Sequence, residues 1–183
     1  MRVHILGPSG SGTTTLGEGL SKHFSIPHLD TDQFYWKKSE IPFTEKHTPK
    51  DRLTEIHKTI EEHDSWVLSG SLVSWGDPLI PLFTHVIFLY VPWEIRKERL
   101  LKREYLRYGA EALKKGGKMH EVHTEFLAWC ERYDTAGTEQ RSRYKHEEWL
   151  SELPSSIKQI YIEENIGQKE LLERVSQFLR THR

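Results

Sequence analysis

Apolar positions along this chain fall into two alternating kinds of run. Val3-Ile5-Leu6, Trp66-Val67-Leu68 and His85-Val86-Ile87-Phe88-Leu89-Tyr90-Val91 are short apolar blocks, the last nearly continuous, as strands covered on both faces should be. Between them Leu16, Leu20 and Phe24, then Leu53, Ile56 and Ile60, recur at the spacing of one helical face. Ile26 to Asp30 reads as a further short strand, Ile157 to Ile162 as a fifth, and Gln168 to Leu179 as a final amphipathic helix. Strands alternating with helices predict right-handed parallel crossovers and an open α/β sheet.

Punctuation sharpens the boundaries. Thr48-Pro49 has a capping side chain followed by proline at the first helical position. Pro92 opens a basic helix that ends at Gly109, and two more helices are expected at about Met119 to Tyr133 and Thr138 to Leu153, closed by Pro154. The stretch from about Arg96 to Leu153 therefore reads as a helical insert, placed to serve as a lid.

With 183 residues the chain suits a single domain over 1–183. A formal net charge of -1 gives no reason to expect a nucleic-acid partner. Cys130 is the one cysteine, which excludes an intramolecular disulfide and suits a reducing compartment. The apolar run at Ile5 is too short for a signal peptide and no stretch reaches membrane-spanning length, so a cytoplasmic protein, monomer or homodimer, is expected.

The candidate chemistry begins directly after the first strand, at Gly7-Pro8-Ser9-Gly10-Ser11-Gly12-Thr13-Thr14-Thr15. A strand, a glycine turn and a helix in that order form a phosphate cradle, with backbone N–H groups turned inward and a helix N-terminus facing the anion. The spacing fits GxxxxGK[ST] except that Thr13 stands where the lysine belongs, and Thr14 falls at the Mg²⁺-ligating hydroxyl. Asp30 and Asp32 follow at the carboxyl end of the second strand, where open parallel sheets bind ligands. One carboxylate suits Mg²⁺ and the other a substrate hydroxyl, although a turn or helix cap would use Asp equally well. Phe34, Tyr35 and Trp36 come next, followed by Lys37 and Lys38, and Trp75 lies in a glycine-bracketed loop after the third strand. Such aromatics line pockets or pack cores. On the basic helix Arg99 and Arg103 share a face. His120 and His123 flank Glu121 without the spacing of HExxH.

The phosphate loop with its flanking elements, and Val91-Pro92-Trp93-Glu94 leading to Arg99 and Arg103, resemble the adenylate-kinase-like group of P-loop kinases. Arg132-Tyr133-Asp134 followed by Arg143 is similar to that group's later lid motif. Asp30 and Asp32 are similar to the DxD of shikimate- and gluconate-kinase-like enzymes, and Glu125 through Trp129 to Arg141-Ser142-Arg143 looks like small bacterial topology modulation proteins. The resemblance implies a three-layer fold with a five-stranded parallel sheet of order 2-3-1-4-5. It further implies ATP as donor with Mg²⁺ held by Thr14 and Asp30, Asp32 at the acceptor, and Arg99, Arg103, Arg132 and Arg143 on the phosphates.

Two departures bear on function. Losing the lysine charge costs up to roughly 4 kcal/mol at 4 Å and an effective dielectric of about 20, on the order of a thousandfold in rate, a deficit that arginines such as Arg99, Arg103, Arg132, Arg141 and Arg143 have the charge to offset. Phe34-Tyr35-Trp36 stands where nucleoside-monophosphate kinases carry a phosphate-binding arginine, and none follows Gly70. The expected activity is thus ATP-dependent phosphorylation of a small hydroxylated metabolite, nucleoside or nucleotide, with an uncharged acceptor favoured and Lys37, Lys38 and Arg52 able to reverse that preference. The alternative is a nucleotide-binding regulatory protein that has given up catalysis, for which Thr13 is the evidence.

Overall fold

A computed structural model describes residues 1–182. Five strands, β1 (Arg2–Leu6), β2 (His28–Asp30), β3 (Trp66–Ser69), β4 (His85–Leu89) and β5 (Lys158–Ile162), form one parallel sheet of order 2-3-1-4-5. Helices lie on both sides of it, so the predicted fold class stands. β1 is central: Ile5 is in register with Ser69 of β3 and Ile87 of β4, and Asp30 of β2 is level with Ser69.

The chain forms two compact units. The sheet unit comprises Met1–Gly7, Gly12–Tyr90 and residues 152 to 182; the helical unit comprises Pro8–Ser11 and Val91–Ser151. In the sheet unit, α1 (Thr13–Phe24) and α7 (Gln168–Thr181) bury the faces that periodicity predicts. Leu16 and Leu20 meet Val175 and Leu179 over Val3, Ile5, Val67 and Ile87. Each such side chain contributes roughly 1.5–3 kcal/mol by leaving water, and together they fix the strand ends from which the site projects. α2 (Thr31–Tyr35) and α3 (Pro49–Ile60) complete this unit, with Thr48 capping α3 as expected.

The helical unit holds α4 (Trp93–Leu113), α5 (His120–Glu131) and α6 (Arg143–Ser151). The basic helix does break at Gly109, whose φ of 76° is left-handed, but a further helical turn follows to Leu113. α6 begins five residues later than the sequence suggests. Ser142 is the cause: its Oγ accepts the Lys145 N–H at 3.1 Å and donates to the Gly137 carbonyl at 2.6 Å, capping the helix and tying down the loop before it. α5 likewise stops at Glu131, and Arg132–Asp134 forms a 3-10 turn instead of continuing to Tyr133 as α-helix. Arg96 is the centre of this unit. Fully buried, it donates Nε to the Val91 carbonyl at 2.9 Å and Nη2 to Asp134 at 2.7 Å, its guanidinium near the Trp93 and Tyr133 rings.

Candidate functional site

The loop between β1 and α1 has the geometry its glycines predict. Gly10 (φ 85°) and Gly12 (φ 104°) take left-handed conformations, the Ser11 N–H closes a turn on the Pro8 carbonyl at 3.1 Å, and Gly12 caps α1. The chain leaves this cap with its first-turn N–H groups in position to meet an anion.

At the start of α1 the Thr14 hydroxyl donates to Asp30 Oδ2 at 2.9 Å. The other oxygen of Asp30 accepts the Asp32 N–H at 3.0 Å and caps α2. Asp30 thus holds Asp32 on the first turn of α2 while bonded to the phosphate-loop helix. A hydroxyl that donates its hydrogen bond to a carboxylate keeps lone pairs for a cation, and hydroxyl plus carboxylate oxygens form a hard-ligand set suited to Mg²⁺. The strand end beneath is fixed by the bond between His28 Nε2 and Ser69 Oγ at 2.8 Å, and burial holds the His28 pKa below its usual value, against the raising pull of Asp30 and Glu18. Gly70 is obligatory there: its φ is 107°, and a Cβ would sit 1.9 Å from Thr31 Oγ1.

α2 and α3 pack together, with the aromatic residues after Asp32 between them and the following loop. The Arg52 guanidinium lies 3.6 Å from the Tyr35 ring centroid and 5.7 Å from that of Trp75. Lys46 stands over Tyr35 and Trp36 at 5.7 and 5.5 Å. Arg52 is 7% exposed, yet its Nε has no hydrogen-bond partner among the described residues and no carboxylate pairs with it among them. Two cations share one aromatic wall, and neither forms an ion pair with a carboxylate among the described residues. Sequence reading names Arg52 as a residue able to reverse the acceptor preference; its burial is what periodicity misses, because Leu53, the apolar neighbour at the predicted face, is only half-buried.

The tip of the phosphate loop belongs to the helical unit. There Arg99 Nη1 donates to the carbonyls of Gly10 and Ser11 at 3.3 and 3.4 Å. Arg141 Nη2 donates to Ser9 Oγ at 2.8 Å, its guanidinium 4.6 Å from the Trp129 centroid. Burial raises the pKa of the Cys130 thiol, against the lowering influence of Ser9 and of Arg141, Arg96 and Arg103. The other predicted arginines are placed differently. Arg103 pairs with Glu104 at 2.9 Å, Arg143 with Glu147 at 2.6 Å, and Arg132 is exposed, its carbonyl closing the turn onto Thr135 and Ala136. Arg99 and Arg103, one turn apart, therefore end on different partners.

The family described as "AAA domain" matches residues 3–125. "Uncharacterized protein YqaC" of Bacillus subtilis (strain 168) is 42% identical over 177 residues, 97% of this chain and 96% of that one. Among solved structures, a sugar kinase from Janibacter sp. HTCC2649 is similar with a TM-score of 0.54 at 18% identity, covering 98% of this chain and 94% of that one. Shikimate kinase from Acinetobacter baumannii gives a TM-score of 0.52 at 18% identity, covering 98% and 93%. At such identities the likeness is one of fold. The order of the sheet, the glycine loop ahead of α1 and these matches agree: the chain belongs to the AAA-domain family and has the P-loop NTPase kinase-like fold.

Proposed function

We propose that this protein is an ATP-dependent small-molecule kinase whose acceptor carries both a hydroxyl and an anionic group. The observation that carries the reading is the Thr14–Asp30 bond, which joins the phosphate-loop helix to the strand end that presents Asp32. Thr14 and Asp30 would hold Mg²⁺, which when bound neutralises charge on the transferring phosphoryl group. Backbone N–H groups from Gly10 to Thr14 cradle the β-phosphate. Asp32 orients the acceptor hydroxyl and takes its proton as the new P–O bond forms and the bond to the leaving diphosphate oxygen breaks.

Arg52 narrows the acceptor. An uncharged substrate would leave the buried Arg52 Nε unpaired, whereas a carboxylate or phosphate would accept from the guanidinium in a charge-assisted bond, with the Tyr35, Trp36 and Trp75 rings as apolar walls. Isothermal titration with ATP, with and without Mg²⁺, followed by ADP release against a panel of nucleosides, nucleotides and hydroxylated acids, tests the reading. Mg²⁺-dependent binding with ADP release confined to anionic, hydroxylated members is expected. Equal turnover of neutral members overturns the assignment of Arg52, and absence of nucleotide binding overturns the whole.

A second reading, a nucleotide-binding regulatory protein, is favoured by Thr13 alone. It requires ATP binding without turnover across the panel, and phosphoryl transfer appearing when Thr13→Lys supplies the charge.

A further inference from the structure

Thr13 leaves the loop without the cation that normally draws phosphate into it, and within the helical unit two guanidiniums bond the tip of that loop. Arg99 bonds the carbonyls of Gly10 and Ser11, and Arg141 bonds the side chain of Ser9. We propose that Arg141 and Arg99 are positioning residues that stand in for the missing lysine through the loop itself: they clamp its tip in the anion-binding conformation and strengthen its N–H donors. The inference rests on the nucleotide-binding reading above, and it concerns how the loop is held.

Three features carry it. Each peptide unit has a carbonyl at one end and an N–H at the other. The Gly10 carbonyl shares its unit with the Ser11 N–H, which closes the turn on the Pro8 carbonyl at 3.1 Å, and the Ser11 carbonyl shares its unit with the Gly12 N–H. A cation bonded at the oxygen polarises the unit, which strengthens the Ser11 bond that shapes the turn and makes the Gly12 N–H a better donor to an anion. Arg99 therefore acts on the loop's amides through their carbonyls. Second, the Arg141 Nε is buried and has no hydrogen-bond partner among the described residues, while Nη2 is committed to Ser9 at 2.8 Å. A donor left buried in this way is costly, so the arginine is held at Ser9 despite the penalty, with the Trp129 ring 4.6 Å from its guanidinium. Third, the tip is fitted to the helix that supplies Arg99. At Gly10, whose φ is 85°, a Cβ would lie 3.0 Å from the Arg96 carbonyl oxygen and 3.1 Å from its Cβ. The fully buried Arg96 is itself held by Asp134 at 2.7 Å. Carboxylate-paired Arg96 shapes the seat, and Arg99 and Arg141 fasten the loop into it.

The test is a mutant cycle read by ATP titration and by hydrogen exchange of the loop amides, on the full chain. Arg141→Ala and Ser9→Ala should each weaken ATP binding by about 10- to 100-fold, the scale of one charge-assisted bond, and the double variant should be no weaker than either single one. Exchange at Gly10, Ser11 and Gly12 should quicken in all three while the β1 amides stay protected. Adding Thr13→Lys to Arg141→Ala should recover most of the lost affinity. If Ser9→Ala binds ATP as the parent does while Arg141→Ala does not, Arg141 touches the nucleotide directly and the clamp is wrong. If loop exchange is unchanged in the variants, the clamp is wrong whatever the affinity. Should the parent bind no ATP, the nucleotide-binding reading fails, and the exchange measurement on the unliganded chain still decides whether the arginines hold the loop.

Discussion

Two arginines are buried in this molecule under opposite conditions, one in each unit. Arg96, in the helical unit, meets Asp134, the Val91 carbonyl and the Cys130 carbonyl. Arg52, in the sheet unit, meets aromatic rings and, among the described residues, no acceptor for its Nε. Burying a cation is costly unless hydrogen bonds and an opposite charge offset the lost hydration. Arg96 has them from its own chain, so its role is complete when the unit folds. Arg52 lacks them, and a ring at 3.6 Å supplies only about 0.5–2 kcal/mol. Arg96 is thus satisfied within its own unit, and under the proposed function the acceptor's anion would pair with Arg52.

The largest expected effect separates the two directly. Arg96→Met should destabilise the protein by about 3 kcal/mol, the low end for breaking a buried pair because Asp134 is 26% exposed. It leaves Asp134 and two carbonyls without their donor. Urea denaturation measures it, and a change under about 1 kcal/mol would mean that Arg96 is not the structural anchor its geometry describes.

Arg52→Met is expected to do the reverse. Removing an unbalanced buried charge for an apolar side chain of similar volume should leave stability unchanged within about 1 kcal/mol, or raise it. The Michaelis constant of an anionic acceptor should rise about 10- to 100-fold while ATP binding holds. Melting curves and ADP-release kinetics report the two sides separately. If Arg52→Met unfolds the chain as Arg96→Met does, Arg52 belongs with architecture and the acceptor assignment falls.

How much of this the sequence carries depends on distance along the chain. Loop geometry, strand order and the cap at Thr48 are local or follow from period and punctuation, and all are legible. Thr14 and Asp30 are both named by the sequence, one from the loop motif and the other from the strand end, but the bond between them comes from the fold. The partners of the arginines are not legible. Arg99 and Arg103 share a helical face, yet Arg103 finds Glu104 beside it while Arg99 reaches backbone carbonyls some ninety residues earlier. Arg141 in turn reaches Ser9 across 132 residues of sequence. Charge and period place a cation on a face; only the fold decides whether an acid, a ring or a carbonyl meets it.

His4 shows a third way to bury a base, by shedding its proton. Central in β1 and fully buried, it bonds the Leu68 carbonyl through Nδ1 at 3.2 Å and stacks on Phe83. Burial lowers its pKa to about 4, against a raising contribution from the Leu68 bond. The folded state therefore binds fewer protons than the unfolded one between that value and the ordinary 6.5. Stability from this group is fully present above about pH 6.5 and falls as the pH drops toward 4, with about 2 kcal/mol lost by pH 5. His4→Gln should flatten that part of the stability–pH curve, and an unchanged slope would assign it to other groups.

The smallest expected effect tests whether the acceptor site depends on the placement of Arg52 or only on its charge. α3 carries Arg52 on its first turn and begins at Thr48, whose Oγ1 accepts the Asp51 N–H at 3.2 Å and donates to Asp51 Oδ2 at 2.7 Å. That side-chain bond is the main cause of the lowered Asp51 pKa. Thr48→Ala removes both bonds and should cost about 1 kcal/mol of stability by urea denaturation. Four residues on, Arg52 is wedged against Tyr35, so fraying at the cap should leave its guanidinium in place and the acceptor's Michaelis constant within about twofold of the parent. A tenfold rise would mean that the first turn of α3 is held by its cap alone. The ring at 3.6 Å would then be a neighbour of Arg52 that does not support it, and the aromatic wall would lose its place in acceptor recognition.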